Sequence, residues 1–258
     1  MMDVRAAWDK LADQVTEHQV WKTLFRHGYE PTERNRLMWT INNFFLHLHP
    51  ARIRQEGIRF FHTYCLGGLT FLLFILLTIT GVLLMFYYVP DARRAYWDMK
   101  DLEFAISYGM ILRNMHRWAA HGMVVTVWLH MLRVFLTGSY KPPREFNWAV
   151  GVILLVITLF LSFSGYLLPW DQLAIWAVTV GTTMAKAAPV VGAEGPFSIV
   201  DFKSDMAFAL RAGTSVWQGA LLRFYVLHCV FVPLIAGVLM AVHFWRVRKD
   251  GGISLPPL

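Results

Sequence analysis

Residues 113–137 read RNMHRWAAHGMVVTVWLHMLRVFLT, a largely apolar run in which His116 and His130 stand fourteen residues apart. A second apolar run, residues 217–247, holds His228 and His243 fifteen residues apart. At ~1.5 Å per helical residue, each interval spans roughly 21–22 Å. At ~100° per residue, the two histidines of each run lie within about 40–60° of one another around a helix. Two such helices, packed side by side, would face each other with two pairs of imidazoles.

The composition places these runs in a membrane. Of 258 residues, 56% are hydrophobic and only 16% are charged, which is too apolar for an ordinary soluble domain. Runs free of Asp, Glu, Lys and Arg cover residues 60–90, 146–170 and 224–245, and residues 118–140 contain only Arg133. Each run is long enough to cross a hydrocarbon core of ~30 Å as a helix.

We therefore predict an all-α membrane protein, a four-helix haem-binding bundle with an N-terminal prefix. The four predicted spans are A (60–88), B (113–137), C (147–168) and D (217–247). Pro233 should bend span D. The connection 171–215 is rich in Gly and Pro but has apolar stretches, and it predicts one or two short helices at the membrane interface between spans C and D.

The net charge of +7 suits membrane topology better than binding to nucleic acid. Four spans put both termini on one side, together with the link around Lys141 and Arg144. That side carries the larger share of Lys and Arg, so we expect the termini of this multi-pass protein on the negative, cytoplasmic or stromal, side. No cleavable signal peptide is evident, since residues 1–59 are polar and mixed in charge.

Residues 1–57 are predicted to form an N-terminal extension, and residues 58–258 a single membrane domain. Several aromatic side chains stand among the charges of the extension, which suits an amphipathic helix on the membrane surface. A loosely ordered tail is the alternative. The aromatic residues concerned are Trp8, Trp21, Phe25 and Trp39.

The two histidine pairs predict two haem sites. Spans B and D would both run from the positive to the negative side, so His116 should pair with His228, and His130 with His243. Each pair would supply the two axial ligands of one haem b iron, and coordination by two imidazoles suits electron transfer. A lone membrane histidine is often a packing residue, but two matched intervals are hard to explain by packing. His62 and His121 have no such match, and we expect them to pack or form hydrogen bonds.

Glycines repeat the same interval on the two remaining spans. Gly67 and Gly81 on span A are fourteen residues apart, as are Gly151 and Gly165 on span C. A glycine lets a flat ring approach the backbone, so these positions predict clearance for two haems. Packing between helices through small residues is the alternative.

Arginines stand near the histidines at the ends of the spans. Such cations would pair with haem propionates, and snorkelling to the membrane surface is the alternative role. The candidates are Arg113, Arg117, Arg133, Arg223 and Arg246.

Several longer motifs carry a family resemblance. The chain resembles cytochrome b, in the short b6 type, over about residues 58–255. Its fifteen-residue step from His228 to His243 is also the b6 spacing. The matching motifs are Tyr64–Gly68, Arg113–Trp118, Leu136–Gly138, Lys141–Glu145, Gly165–Gln172, Arg223–Tyr225 and Arg248–Ser254.

The resemblance implies a subunit of a quinol-oxidising complex. Quinol would be oxidised near the positive side and quinone reduced near the negative side, with electrons crossing through the two b haems and protons translocated. The family's Pro-Glu-Trp-Tyr motif is absent from this sequence. The resemblance therefore implies a three-helix partner chain, besides a Rieske iron–sulfur protein, a c-type cytochrome and a homodimeric complex. Quinol-pocket residues would include Tyr166, Leu168, Pro169, Trp170 and Asp171.

Cys65 has two interpretations. By composition alone, a cysteine in an apolar helix is a small packing residue, as we expect for Cys229. In the b6 family, the cysteine at the position of Cys65 binds a haem c through one thioether, beside the haem on the negative side. The resemblance thus implies a third, covalently attached haem.

Two other functions would also use histidines in membrane helices. A dihaem membrane anchor of a dehydrogenase or hydrogenase would also use paired histidines, but it has no need for Cys65 or the Pro-Trp-Asp segment. A channel or transporter with proton-relaying histidines would have no need for glycines at the histidine interval.

Overall fold

A computed structural model describes residues 4–17 and 60–250. The chain divides into two units, residues 1–51 and 52–258. In the first unit, the described residues form helix α1 (Val4–Glu17). Trp8, Leu11 and Val15 are exposed on α1 and share one side of it, because residues three and four apart lie on one helix face.

Part of the N-terminal extension is therefore helical with an apolar face. The placement of α1 on a membrane surface stays a prediction. The other aromatic residues on which the prediction was based, Trp21, Phe25 and Trp39, lie outside the described residues.

The described part of the second unit is built of helices and turns, without strands. Four stretches in it are long and apolar enough to cross a membrane, the last being the continuous span Gln218–Lys249. In chain order the helices are α2 (Phe60–Thr63), α3 (Leu66–Met85), α4 (Ala95–Phe104), α5 (Gly109–Leu136), α6 (Glu145–Tyr166), α7 (Gln172–Ala185), α8 (Met206–Arg211), α9 (Gln218–Val226) and α10 (Val232–Lys249).

The four spans confirm the predicted bundle, with shifted ends. The first span begins at Leu66 rather than Phe60 because Tyr64 and Cys65 have φ angles of 50° and 51°, and this left-handed turn interrupts the helix. The polar link after the first span contains a helix, α4, which the sequence did not predict. Helices α7 and α8 fall in the connection 171–215, where one or two short helices were expected.

A π turn, Leu227–Phe231, joins α9 to α10 and contains His228. Pro233 follows within the first turn of α10. Proline cannot donate a backbone hydrogen bond to the preceding turn, and one-turn π segments inside α-helices accommodate such interruptions. Span D therefore contains a widened helical turn directly before Pro233.

The spans pack in two main pairs, α3 against α5 and α6 against α10, and α5 also contacts α6. The outward sides remain apolar: Leu72 is 59% exposed and Val156 is 60% exposed. Apolar side chains on the outer surface of a helix bundle are typical of a protein that is surrounded by lipid or by neighbouring membrane helices.

The tightest core lies at one end of the bundle, where α3 and α6 end and α9 begins. Large side chains there have almost no exposed surface, including Leu167, Leu221 and Phe224. The cluster also contains Tyr88, Ala95, Trp170, Val178 and Ala220.

Two polar side chains hold the turn that follows α3. The Gln218 amide accepts a hydrogen bond from the Ala92 N–H at 2.7 Å and donates one to the Pro90 carbonyl at 2.8 Å. The buried Asp98 carboxylate accepts one from the Val89 N–H and one from Arg94 Nε, both at 2.8 Å. The hydrogen bond to Asp98 raises the pKa of Arg94. This end of the first span is therefore tied to α4 and α9.

Candidate functional site

The structure brings together the two predicted histidine pairs. His116 on α5 faces His228 in the π turn, with ring centroids 6.3 Å apart and ring planes at 72°. His130 on α5 faces His243 on α10, with centroids 6.4 Å apart and planes at 82°. We call these the first and the second imidazole pair.

The separation within each pair fits one metal ion held between two imidazoles. A bond from a metal ion to an imidazole nitrogen is about 2 Å long, so two such rings on opposite sides of one ion have centroids about 6 Å apart. Both observed distances match this value. The geometry therefore suits a haem iron with two axial histidines.

In the first pair, a hydroxyl group lies within hydrogen-bond distance of the Nδ1 atom of each ring. Thr80 Oγ1 lies 2.8 Å from His116 Nδ1 and donates its own proton to the Leu76 carbonyl at 2.7 Å. Because that proton is engaged, the Thr80 oxygen accepts from Nδ1–H, and the His116 Nε2 keeps its lone pair for a metal.

His228 has the same arrangement on the opposite helix. Its Nδ1 lies 3.2 Å from Ser164 Oγ, which donates to the Leu161 carbonyl at 3.2 Å. Thr80 and Ser164 are both fully buried. These two residues were not predicted from the sequence, although each of them directly precedes one of the repeated glycines.

Each of the four repeated glycines lies against one of the four imidazoles. A Cβ added at Gly67 would lie 3.3 Å from His130 Cε1, and one at Gly81 would lie 3.2 Å from His116 Cε1. The contact at Gly165 is closer, with His228 Cε1 only 2.5 Å from the added Cβ. The contact at Gly151 is looser, at 3.8 Å from His243 Cε1. The glycines thus give room for imidazoles beside the backbones of α3 and α6.

Two cavities accompany the imidazole pairs. One of about 120 Å³ is lined by Gly81, His116 and His228, and also by Cys229, which is half-buried as a packing residue would be. The other, of about 340 Å³, is lined by His130 and His243. We call the second the large cavity.

Cys65 belongs to the lining of the large cavity. Its side chain is exposed and forms no disulfide, and its backbone has the left-handed conformation that separates α2 from α3. A thiol in this position is accessible from the same space that the second imidazole pair borders. The structure therefore places the predicted attachment residue beside the second pair.

Arg133 fixes the segment that leads to Cys65. Its Nε donates to the His62 carbonyl at 3.2 Å, and its Nη2 lies 3.1 Å from His62 Nε2. Arg133 also borders the large cavity. His62 is thus a hydrogen-bonding residue, as predicted, and its partner is one of the candidate propionate arginines.

The other candidate arginines have varied surroundings. Arg113 forms an ion pair with Glu103, and Arg246 forms one with Asp250 at 3.0 Å. Arg223 donates to the Ala209 carbonyl, while Arg117 is exposed. Binding of propionates by these residues stays a prediction. At Arg113 and Arg246, a propionate would share the guanidinium with the carboxylate of Glu103 or Asp250, and neither ion pair was predicted from the sequence.

Hydrogen bonds and burial fix the predicted quinol-pocket segment at one end of the bundle. Asp171 caps α7, accepting a hydrogen bond from the Ala174 N–H at 2.8 Å. The Leu168 carbonyl accepts one from the Tyr88 hydroxyl at 2.6 Å, and burial raises the pKa of Tyr88 so that this phenol keeps its proton. Trp170 is buried, with a φ angle of 51°, whereas Tyr166 is exposed and Pro169 half-buried.

Comparison with known proteins agrees with this architecture. The family model described as Cytochrome b/b6/petB matches residues 56–251. Cytochrome b6 of Pyropia yezoensis is 43% identical over 188 residues, 73% of this chain and 82% of the relative. Cytochrome b6 of Heliomicrobium gestii is 40% identical over 203 residues, 79% of this chain and 88% of the relative.

A solved structure shows a similar fold. A chain of the structure titled Hyperthermophilic respiratory Complex III superposes with a TM-score of 0.63 at 26% identity, over 85% of this chain. The present chain covers 53% of that longer chain. Four membrane-spanning helices, two facing histidine pairs and extensive similarity in sequence lead to one conclusion: the chain belongs to the cytochrome b/b6 family.

Proposed function

We propose that this chain holds two haems b, one between His116 and His228 and one between His130 and His243, and a third haem bound covalently to Cys65. As a member of its family, the chain is a cytochrome b subunit of a bc-type oxidoreductase complex in a membrane. The observation that carries the haem assignment is the ring separation of 6.3 and 6.4 Å in the two imidazole pairs.

Bound haem would supply one-electron redox chemistry. The residues that would coordinate each haem determine whether it transfers electrons or binds oxygen. Imidazoles on both faces of each haem leave no coordination position for oxygen, which favours electron transfer. The two pairs are separated by fourteen residues along α5, or roughly 21 Å, so they would lead electrons across most of the membrane.

We propose that electrons enter near the first imidazole pair and leave near the second. Quinol would be oxidised beside the segment from Tyr166 to Asp171, and quinone would be reduced in the large cavity beside Cys65, with protons translocated between the two sides. The chain termini would lie on the negative side. The close approach of His228 to Gly165, three residues before Leu168, supports placing the quinol segment beside the first pair.

The proposed quinol pocket needs further chains. The sequence lacks the Pro-Glu-Trp-Tyr motif, and the chain spans about half the length of the solved relative. We propose a separate three-helix chain that completes the pocket. A Rieske iron–sulfur protein and a c-type cytochrome would then receive electrons within a homodimeric complex.

A difference spectrum of the purified native complex tests the function. We expect reduced-minus-oxidised bands of b type, two extractable haems b per chain and two separate midpoint potentials. Paired histidines in a channel would give a colourless chain, and that result would refute the proposal. A dihaem anchor would give the b bands without oxidising quinol, so quinol-dependent reduction of a cytochrome c is measured on the same sample.

Thr80→Val tests the hydrogen bond to His116. Loss of an outer hydrogen bond to a ligating histidine weakens metal binding about 10- to 100-fold, so we expect the first haem to dissociate more readily during haem titration with a competing apo-globin. Thr78→Val is the matched control, because within residues 60–250 the Thr78 hydroxyl donates to the Phe74 carbonyl one turn away and to no histidine. Equal haem retention in the two variants would show that Thr80 does not act through His116.

Gly165→Ala tests the close approach of His228. The new methyl carbon would lie 2.5 Å from His228 Cε1, and overpacking of this kind costs enough to lower haem affinity about tenfold or more. Gly237→Ala on α10 is the control, because a Cβ added there meets nothing within 4 Å, and this variant should bind haem as the unmodified chain does. The measurement is haem occupancy of each site by redox titration, and equal occupancy in both variants would contradict the proposed geometry.

A further inference from the structure

The two cavities of the bundle share part of their lining. The smaller cavity is lined by the first imidazole pair and the large cavity by the second, so side chains that border both stand between the two pairs. They come from α3, α5 and α6. Within residues 60–250, the side chains that line both cavities are those of Phe74, Met123, Thr158 and Leu161. We call these four residues the middle layer.

The middle layer lies halfway between the two imidazole pairs. Met123 stands seven residues from His116 and seven from His130 along α5, which is about 10.5 Å of helix in each direction. The two glycine-bearing helices show the same symmetry. Phe74 is seven residues from each repeated glycine of α3, and Thr158 is seven residues from each repeated glycine of α6. Because those glycines contact the imidazoles, the three helices contribute to the layer at one depth.

The middle layer is poor in hydrogen-bonding groups. The side chains of Phe74, Met123 and Leu161 are apolar. Thr158 is the polar member, and its hydroxyl donates to the Leu154 carbonyl of its own helix at 2.8 Å. The Thr158 proton is therefore engaged within α6 and does not extend a chain of hydrogen bonds from one cavity to the other.

Polar side chains occur on either side of the layer. On α3, Thr70 borders the large cavity and Thr78 borders the smaller one, four residues before and four residues after Phe74. Arg133 and Asn147 also line the large cavity. The apolar residues of the middle layer thus separate two cavities that each have polar groups in their own walls.

Electrons and protons differ in what they need to cross such a layer. A proton moves along water molecules or polar side chains that are joined by hydrogen bonds. Water stays out of apolar spaces because it finds no partners there, and hydrophobic constrictions in channels stop conduction by losing their water. An electron passes between two redox centres without such a chain. A layer of this composition therefore discriminates between the two particles.

We propose that Phe74, Met123 and Leu161 form a proton barrier between the two imidazole pairs. The barrier lets electrons cross the middle of the bundle and prevents protons from returning through the two cavities. This inference rests on the proposed function, because a complex that translocates protons loses its gradient if protons flow back through its haem-binding chain. It assigns to these three residues a role that neither haem ligation nor quinol binding requires.

The passive proton conductance of reconstituted vesicles tests the barrier. The purified native complex is placed in liposomes without quinol, valinomycin imposes a potassium diffusion potential, and an enclosed pH-sensitive dye reports proton entry. Met123→Gln keeps a side chain of similar length but adds an amide donor and acceptor. We expect the conductance to rise about threefold to tenfold, the range for one hydrogen bond inside a membrane protein. Leu161→Asn, on another helix, should raise it in the same way.

Two control variants separate polarity from packing and position. Met123→Leu keeps the apolar character and the approximate volume of the side chain, so its conductance should equal that of the unmodified complex. Val156→Asn adds the same amide as Leu161→Asn, but on the outward side of α6, where Val156 is 60% exposed, and it should not leak. Unchanged conductance in both Met123→Gln and Leu161→Asn would overturn the proposal, as would an equal leak in Met123→Leu.

The haem content separates the barrier from the haem assignment. All four variants should keep the haem-to-chain ratio of the unmodified complex, so that a change in conductance concerns the layer alone. A leak that appears only together with loss of haem would overturn the barrier as its cause. Absence of haem or of quinol oxidation in the unmodified complex would refute the proposed function instead, and the conductance without quinol would still decide the barrier.

Discussion

His228→Leu is expected to reduce the number of extractable haems b from two to about one per chain, with loss of the midpoint potential that belongs to the first imidazole pair. The leucine removes one of two rings whose centroids stand 6.3 Å apart. His116 alone would then be left to hold the haem in the smaller cavity, which it lines together with Cys229. Loss of one of the two imidazole ligands removes one of the two bonds that would hold the iron, so haem affinity at this site should fall enough for the haem to be lost during purification.

His243→Leu serves as the reciprocal control. It removes the corresponding ring from the second pair, whose centroids are 6.4 Å apart, and should eliminate the other midpoint potential. Haem content by pyridine haemochrome and a redox titration of each variant provide the measurements. Retention of both haems b in either variant, or loss of the same potential in both, would contradict two independent bis-histidine sites.

Cys65→Ser is expected to abolish the haem that stays on the polypeptide after denaturation, while the two haems b remain. Coordination bonds from histidine break when the chain unfolds, whereas a thioether survives. The Cys65 side chain is accessible from the large cavity, so a haem attached there would adjoin the second imidazole pair. Peroxidase staining of a denaturing gel, after acid–acetone extraction of free haem, detects the attached group.

Cys229→Ser is the matched control for covalent attachment. Cys229 is the other cysteine of the chain, and it borders the smaller cavity beside His228. A chain with Cys229→Ser should stain as strongly as the unmodified chain. Absence of stain in the unmodified chain would remove the third haem from the proposal, and persistent stain in Cys65→Ser would move the attachment to another residue.

The main features of the bundle were predictable because each depends on a pattern along one helix. Uncharged runs revealed the four spans, since membrane thickness requires about 20 apolar residues per helix. The interval from His116 to His130 placed both imidazoles on one face of α5. The choice of His228 and His243 as their partners required only the direction of the spans, which alternates when each span crosses the membrane.

Contacts between distant segments were not predictable in the same way. The ion pair of Arg113 with Glu103 joins α5 to α4, and nothing in the sequence around Arg113 indicates that helix as its neighbour. Likewise, the hydrogen bonds from Arg133 to His62 cross 71 positions of the chain. Such pairings depend on where the chain folds back, and hydrophobic periodicity carries no information about that.

The hydroxyl partners of the first imidazole pair follow a pattern in the sequence that became recognisable only with the structure. Hydroxyl residues stand directly before Gly81 and Gly165, but apolar residues stand before Gly67 and Gly151. The first pair accordingly has hydroxyl partners for its Nδ1 atoms. A threonine or serine in an apolar helix usually bonds to a carbonyl of its own helix, and for that reason neither was distinguishable from an ordinary packing residue.

The widened turn at His228 explains why unequal intervals produce matching sites. In an uninterrupted α-helix, fifteen residues turn a side chain about 100° further than fourteen do. A one-turn π segment takes up a single extra residue, so the stretch from His228 to His243 advances as a regular helix with fourteen steps would. The histidines of both helices therefore stay in phase, and the two interval lengths are equivalent for the spacing of the redox centres. Deletion of one residue between His228 and His243 should preserve haem binding if the widened turn disappears with the deletion. It should impair haem binding if that turn remains, because the two histidines would then face different directions.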